Sequence, residues 1–180
     1  MAKIPLFADT IKRFMYKEQS DFFDACRKGD VETIARMYNE DPHIIDVADV
    51  RGFTPLVLAV YNNQPAAVDF LLLKGADTAS QDNSGNTALM GACFRGYREV
   101  ASRLLEAGAE VNQRNFQGAN ALTFAATFGQ LEIAEMLLTR GADLHARDVR
   151  GKSPLDHAVI QENIPMIELL EKYLNQKQHK

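Results

Sequence analysis

The 180-residue sequence has no run approaching the ~20 uninterrupted apolar residues that a membrane-spanning helix requires, which argues against a transmembrane segment. It shows no apolar export signal either. Ala2-Lys3-Ile4-Pro5-Leu6-Phe7-Ala8-Asp9 soon gives way to Lys12 and Arg13, so a cytoplasmic protein is expected. Charge of one sign is not in great excess: 20 basic against 24 acidic side chains leave a net charge of -4. The four histidines, His43, His145, His157 and His179, never share the i, i+4 spacing that puts two metal ligands on one helix face. Glycines form neither Gly-x-Gly-x-x-Gly nor a Gly-Lys-Ser/Thr phosphate loop. Asp156 and His157 are adjacent, and neighbouring helical side chains point about 100° apart, so they make no acid–base pair with each other. A non-enzymatic protein without a cofactor or metal is expected.

What the sequence does contain is a period. Gly52, Gly85, Gly118 and Gly151 fall 33 residues apart, and Gly75, Gly108 and Gly141 keep the same step. The surrounding text repeats: Asp49-Val50-Arg51-Gly52-Phe53-Thr54-Pro55-Leu56, Asp82-Asn83-Ser84-Gly85-Asn86-Thr87-Ala88-Leu89, Asn115-Phe116-Gln117-Gly118-Ala119-Asn120-Ala121-Leu122 and Asp148-Val149-Arg150-Gly151-Lys152-Ser153-Pro154-Leu155. A period in the 20–50 range implies stacked units, because one unit cannot bury its apolar face alone.

Each unit is readable chemically. Asp or Asn followed three residues later by Gly is turn chemistry. Thr54, Thr87, Asn120 and Ser153 then offer a side-chain oxygen to cap a helix, twice with Pro at the first helical position. That short helix ends near Asn63, Gly96 or Gly129, which suit a helix C-terminus. A second helix carries the stripes Val68-Leu71-Leu72, Val100-Leu104-Leu105, Ile133-Leu137-Leu138 and Ile167-Leu170. It stops at Gly75, Gly108 or Gly141, so the unit is turn, helix, turn, helix.

Thr54-Pro55-Leu56 with Ala59, and the Leu-Leu…Gly-Ala-Asp/Glu segments around Gly75, Gly108 and Gly141, resemble the ankyrin repeat over roughly residues 20–174. The resemblance implies an all-α repeat solenoid in which each repeat is a hairpin-like loop plus an antiparallel helix pair. It also implies a protein–protein interaction module. The family's His after Leu is replaced by Val57, Met90, Thr123 and Asp156, so turns held more by packing than by side-chain bonds are expected.

The domain reading is a degenerate repeat over 20–48, repeats at 49–81, 82–114 and 115–147, and 148–174 as C-terminal cap, followed by a polar tail over 175–180. Residues 1–19 form a capping helix or an arm. Phe7, Ile11, Phe14 and Met15 have helical spacing, while Asp9 and Glu18 dilute the basic face that a membrane-surface or targeting role would need. Cys26 and Cys93 align with the small core position of Val60, Ala126 and Val159. They lie two repeats apart, on the order of 20 Å from packed-helix spacing, well beyond disulfide reach. A reducing compartment follows.

The resemblance implies that residues flanking each turn glycine and at the end of each first helix line a concave groove. The turn-opening aspartates apart, those positions hold Arg51, Arg95, Arg114, Arg147, Arg150 and Lys152 and no acid. They also hold Phe53, Tyr61, Phe94, Phe116 and Phe128, with Asn86 among the polar members. Exposed aromatics interleaved with Arg have the composition of binding hot spots. The expected partner is another protein offering an acidic, partly apolar segment to a monomer. Nucleic acid is disfavoured by six cations set against a net charge of -4. From resemblance alone, the chain is similar to small stand-alone ankyrin proteins of bacterial type. Some of these accompany redox or haem enzymes such as catalase, and others act as immunity or effector proteins.

Overall fold

The computed structural model describes residues 17–178. They form helices and turns, with no strand among the described residues. Helix α1 is present over 17–28, followed by α2 (Val31–Glu40) and a short 3-10 turn at Pro42–Asp46. Then come the pairs α3 (Pro55–Tyr61) and α4 (Pro65–Leu73), α5 (Ala88–Arg95) and α6 (Arg98–Glu106), and α7 (Ala121–Thr127) and α8 (Leu131–Thr139). The last pair is α9 (Pro154–Ile160) and α10 (Ile164–Gln178). Of the segment read as a cap over 1–19, residues 1–16 lie outside the described residues. Of the tail over 175–180, residues 175–178 continue α10, and 179–180 lie outside the described residues.

First helices pack on first helices, α3 on α5, α5 on α7 and α7 on α9, and second helices do the same in their own layer. The core lies between the layers and repeats in register. Leu71, Leu104, Leu137 and Leu170 are fully buried, as are Ala59, Ala92, Ala125 and Ala158. In the last repeat the buried partner of Ile133 is Met166, and Ile167 is only half-buried. Of the stripe expected at Ile167-Leu170, Leu170 stands where expected and the first member is Met166 rather than Ile167, because the 33-residue step from Ile133 lands on Met166. Both cysteines are buried and free, and burial pushes their thiols well above the ordinary range.

Each first helix is capped as its sequence predicts. Thr54, Thr87, Asn120 and Ser153 accept hydrogen bonds from the backbone N–H groups of Val57, Met90, Thr123 and Asp156. Thr123 and Asp156, standing where the family has His, also return bonds to the cap residues and complete capping boxes.

The expectation that the turns are held more by packing is overturned. Asn83 N donates to Arg51 O at 3.0 Å, Phe116 N to Ser84 O at 3.2 Å and Val149 N to Gln117 O at 2.9 Å. Side chains add further ties: Asn83 Nδ2 to Val50 O, Gln81 Nε2 to Arg114 O and Gln113 Nε2 to Ala79 O. Backbone groups do the work expected of the family's His. They are present whatever the side chain, so a missing His cannot report their loss.

Candidate partner-binding face

The turns and the ends of the first helices form one continuous face. Within each turn the opening residue is used up internally. Asp49 Oδ1 accepts from the N–H groups of Arg51 and Phe53, Asp82 Oδ1 from Ser84 and Asn86, Asn115 Oδ1 from Gln117 and Ala119, and Asp148 Oδ1 from Arg150 and Lys152. Partial burial works against the charge on Asp49 and Asp148, but these donors outweigh it and hold both carboxyls below the usual range. Asp148 also receives a side-chain bond from His157, with Nε2 to Oδ2 at 2.9 Å. His157 thus pairs with the turn aspartate and not with its sequence neighbour Asp156.

Four of the five aromatics named by the sequence form a row. Phe53 stacks on Tyr61 with centroids 5.6 Å apart, Tyr61 meets Phe94 at 6.5 Å, and Phe94 meets Phe128 edge-on at 4.6 Å. The row does not end there, since Phe124 lies nearly parallel to Phe128 at 6.4 Å. Phe94 and Phe128 are exposed at 38% and 46%, whereas Phe53 and Tyr61 are half-buried against the core. The expectation that all five rings stand uncovered therefore fails for Phe53 and Tyr61. Burial, with the nearby Asp82 charge and against Arg95, raises the Tyr61 hydroxyl above its ordinary pKa. Phe116 stands apart on its turn tip, 64% exposed. It lies over Gly85, whose φ of +80° and lack of a side chain allow the approach; a Cβ there would sit 2.6 Å from Phe116 N.

The cations divide into two groups. Arg51 covers Phe53, its guanidinium carbon 4.5 Å from the ring centroid, and also reaches Asp49 at 3.4 Å. Arg114 and Arg147 meet Asp143 and Asp156 at 3.4 and 3.6 Å. Arg95 donates to the Tyr97 hydroxyl at 2.9 Å. Arg150 and Lys152, both exposed, have no ion-pair partner among the described residues. Asn86 is half-buried and engaged, donating to Asp82 and accepting from Asn115 Nδ2 at 2.8 Å, so it ties turns together.

Sequence reasoning missed Phe124, His157 and a pocket of about 220 Å³ between the third and fourth turns, lined by Phe124, Phe128, Thr123, Thr127, Asn115, Gln117, Ala119, Asp148 and His157. One signal was available. Tyr61, Phe94, Thr127 and Ile160 occupy one register position, and Thr127 is the small exception. Among the described residues no cluster of three or more His, Cys, Asp or Glu could hold a metal, and no helix is long and apolar enough to cross a membrane.

Stacked helix pairs presenting an aromatic and basic face of turn tips define a repeat-built binding scaffold. The chain belongs to the ankyrin-repeat family, whose model of three repeat copies matches residues 22–115, 72–148 and 113–179. Ankyrin repeats are in general protein–protein interaction modules. The chain is 38% identical over 85 residues to ankyrin repeat and SAM domain-containing protein 6 of Rattus norvegicus, covering 47% of this chain and 10% of that protein. It is 31% identical over 92 residues to the NAD-capped RNA hydrolase NUDT12 of Homo sapiens, covering 51% and 20%. Ankyrin repeat family A protein 2 of Mus musculus is 40% identical over 60 residues, covering 33% and 19%. The chain thus spans a fifth or less of the length of these relatives.

Proposed function

We propose that this chain is a non-enzymatic interaction module that binds an acidic, partly apolar segment of a partner protein along the face of turn tips and first-helix ends. The observation that carries this reading is the row Phe53–Tyr61–Phe94–Phe128, with Arg51 over Phe53 and Arg95 next to Phe94 in the chain. Arg150 and Lys152, without an ion-pair partner among the described residues, sit on the turn whose Asp148 lines a pocket with Phe128. Rings held by one another lose little rotamer freedom on binding, and so make efficient anchors. Four turns spaced by ~10 Å packed helices span about 30 Å, which an extended segment of roughly nine residues covers at ~3.3 Å per residue. A haem or nucleic-acid reading is less well served. The Arg114 and Arg147 side chains that would meet propionates or phosphates already meet Asp143 and Asp156.

Selection of a random peptide library displayed on phage tests the proposal. Enriched sequences should combine Asp or Glu with aromatic or aliphatic residues, and the F94A/F128A double variant should lose that enrichment. Enrichment of basic peptides, or an unchanged outcome with the double variant, would overturn it.

A further inference from the structure

Tyr61, Phe94 and Ile160 put a bulky side chain at the same place in three repeats, and Thr127 does not. The pocket is an open depression beside Thr127, walled by Phe124 and Phe128 and bordered by the Asp148–His157 pair. At about 220 Å³ it is smaller than the ~300–1,000 Å³ typical of small-molecule sites, a size suited to one side chain. Apart from the exposed Gln117, most of its polar lining is already committed within the chain. Thr127 Oγ1 donates to Thr123 O, Thr123 Oγ1 to Asn120 Oδ1, and Asn115 Nδ2 to Asn86. Both oxygens of Asp148 accept bonds from its own turn and from His157. A polar guest would lose its water hydrogen bonds and find few replacements, so the pocket selects an apolar one.

We infer that this pocket receives a single aromatic side chain of the partner segment, which takes the place in the aromatic row that Thr127 leaves unfilled, with acidic residues beside it facing Arg150 and Lys152. The ring faces and edges of Phe124 and Phe128 favour an aromatic guest over an aliphatic one. The flanking charge is argued from the turn itself: Arg150 and Lys152 lie on the turn that the pocket-lining Asp148 opens, their backbone amides and His157 engage the Asp148 carboxylate, and their own exposed side chains have no ion-pair partner among the described residues. The pocket assignment rests on the binding face proposed for this chain, and its test separates the two.

The probes are N-acetyl-phenylalanine amide, its carboxylate form N-acetyl-phenylalaninate, and N-acetyl-leucine amide, titrated in proton–nitrogen NMR correlation spectra of the full chain. Both phenylalanine probes should shift the amides of Thr123, Thr127, Phe128 and His157, the anionic one binding up to about fivefold more tightly, as an exposed charge pair allows. That preference should vanish in R150S/K152S. T127Y, which carries the residue of Tyr61 at the same register position, should abolish the shifts while thermal melting stays cooperative. No shift up to the solubility limit, shifts persisting in T127Y, or shifts centred on Phe53 and Tyr61 would overturn the inference. A leucine probe binding as tightly as the phenylalanine amide would overturn the aromatic choice. Phage-selected acidic peptides that bind wild type and T127Y alike would remove the pocket and leave the face. Phenylalanine probes that map here without any acidic enrichment on phage would remove the face and leave the pocket.

Discussion

Val60 and Val159 are the same residue at the same place in the first complete repeat and the last. Val60 is fully buried and Val159 is 54% exposed. Cys93 and Ala126, at that place in the repeats between them, are also fully buried. The difference owes nothing to the residue or its own helix; it comes from the repeat that follows, which covers Val60 and has no counterpart over Val159 among the described residues. Ile160 and Ile164 agree, standing 57% and 59% exposed against 38% for Phe94 and 39% for Leu131 at the same places in interior repeats. It compensates along its second helix, where α10 runs 15 residues against nine in α4, α6 and α8, adding half-buried Tyr173 and Leu174 to the core. Burial in a stack is thus a property of neighbours, and stability should be as well.

The largest expected effect tests that directly. Val60→Ala removes two buried methyl groups and leaves a cavity, and should cost about 2–3 kcal/mol. Val159→Ala, made at an open surface, should cost below about 1 kcal/mol. Urea unfolding of the two variants measures the contrast, and equal losses would mean that something covers the last repeat in solution.

The period made the fold legible, because the 33-residue step fixes which residues recur and recurrence fixes the buried set. The candidate site was legible only in part. Phe94, Phe128 and Phe116 announced themselves as large apolar residues at variable positions. Phe53 and Tyr61 did so equally, yet they turn inward against each other, which residue type does not reveal. The pocket was hidden because it is assembled from two repeats around a residue that is notable for being small. The turn ladder was hidden because backbone groups carry no sequence signature.

A smaller effect concerns the turns. Asp148 and Asn115 play the same hydrogen-bonding part in neighbouring repeats, one charged and one neutral. Burial opposes the Asp148 charge, but its amide and His157 bonds hold its carboxyl below the usual range. A depressed folded-state value means the stabilisation is fully present above the unfolded value and is lost as pH falls through the folded one. Stability should therefore hold down to about pH 4, the unperturbed aspartate range, and decline below it. Asp148→Asn, which copies the neutral residue at Asn115, should make that decline shallower in urea unfolding carried out at a series of pH values. An identical acid profile would mean that Asp148 titrates alike in the folded and unfolded chain.

The smallest effect has the sign that sharpens the comparison most. The residue that ends the first helix lies in the left-handed region in every complete repeat: Asn63, Gly96 and Gly129 in three of them, and Glu162, at φ 53°, in the last. Holding an ordinary L-residue there costs roughly 1–2 kcal/mol. Replacing Glu162 by Gly removes that strain but adds about 0.4–1 kcal/mol of unfolded-state freedom. The balance favours Glu162→Gly by about 0.5 kcal/mol, a rise in Tm of roughly 1–2 °C for a chain of this size. The reverse exchange in the interior, Gly129→Ala, should lower Tm, since it imposes the strain and sets a Cβ 3.0 Å from Asn163 Nδ2. Thermal melting of both variants decides the matter. If Glu162→Gly melts below wild type, the last repeat does not carry the strain that its backbone implies, and its difference from the interior reduces to exposure alone.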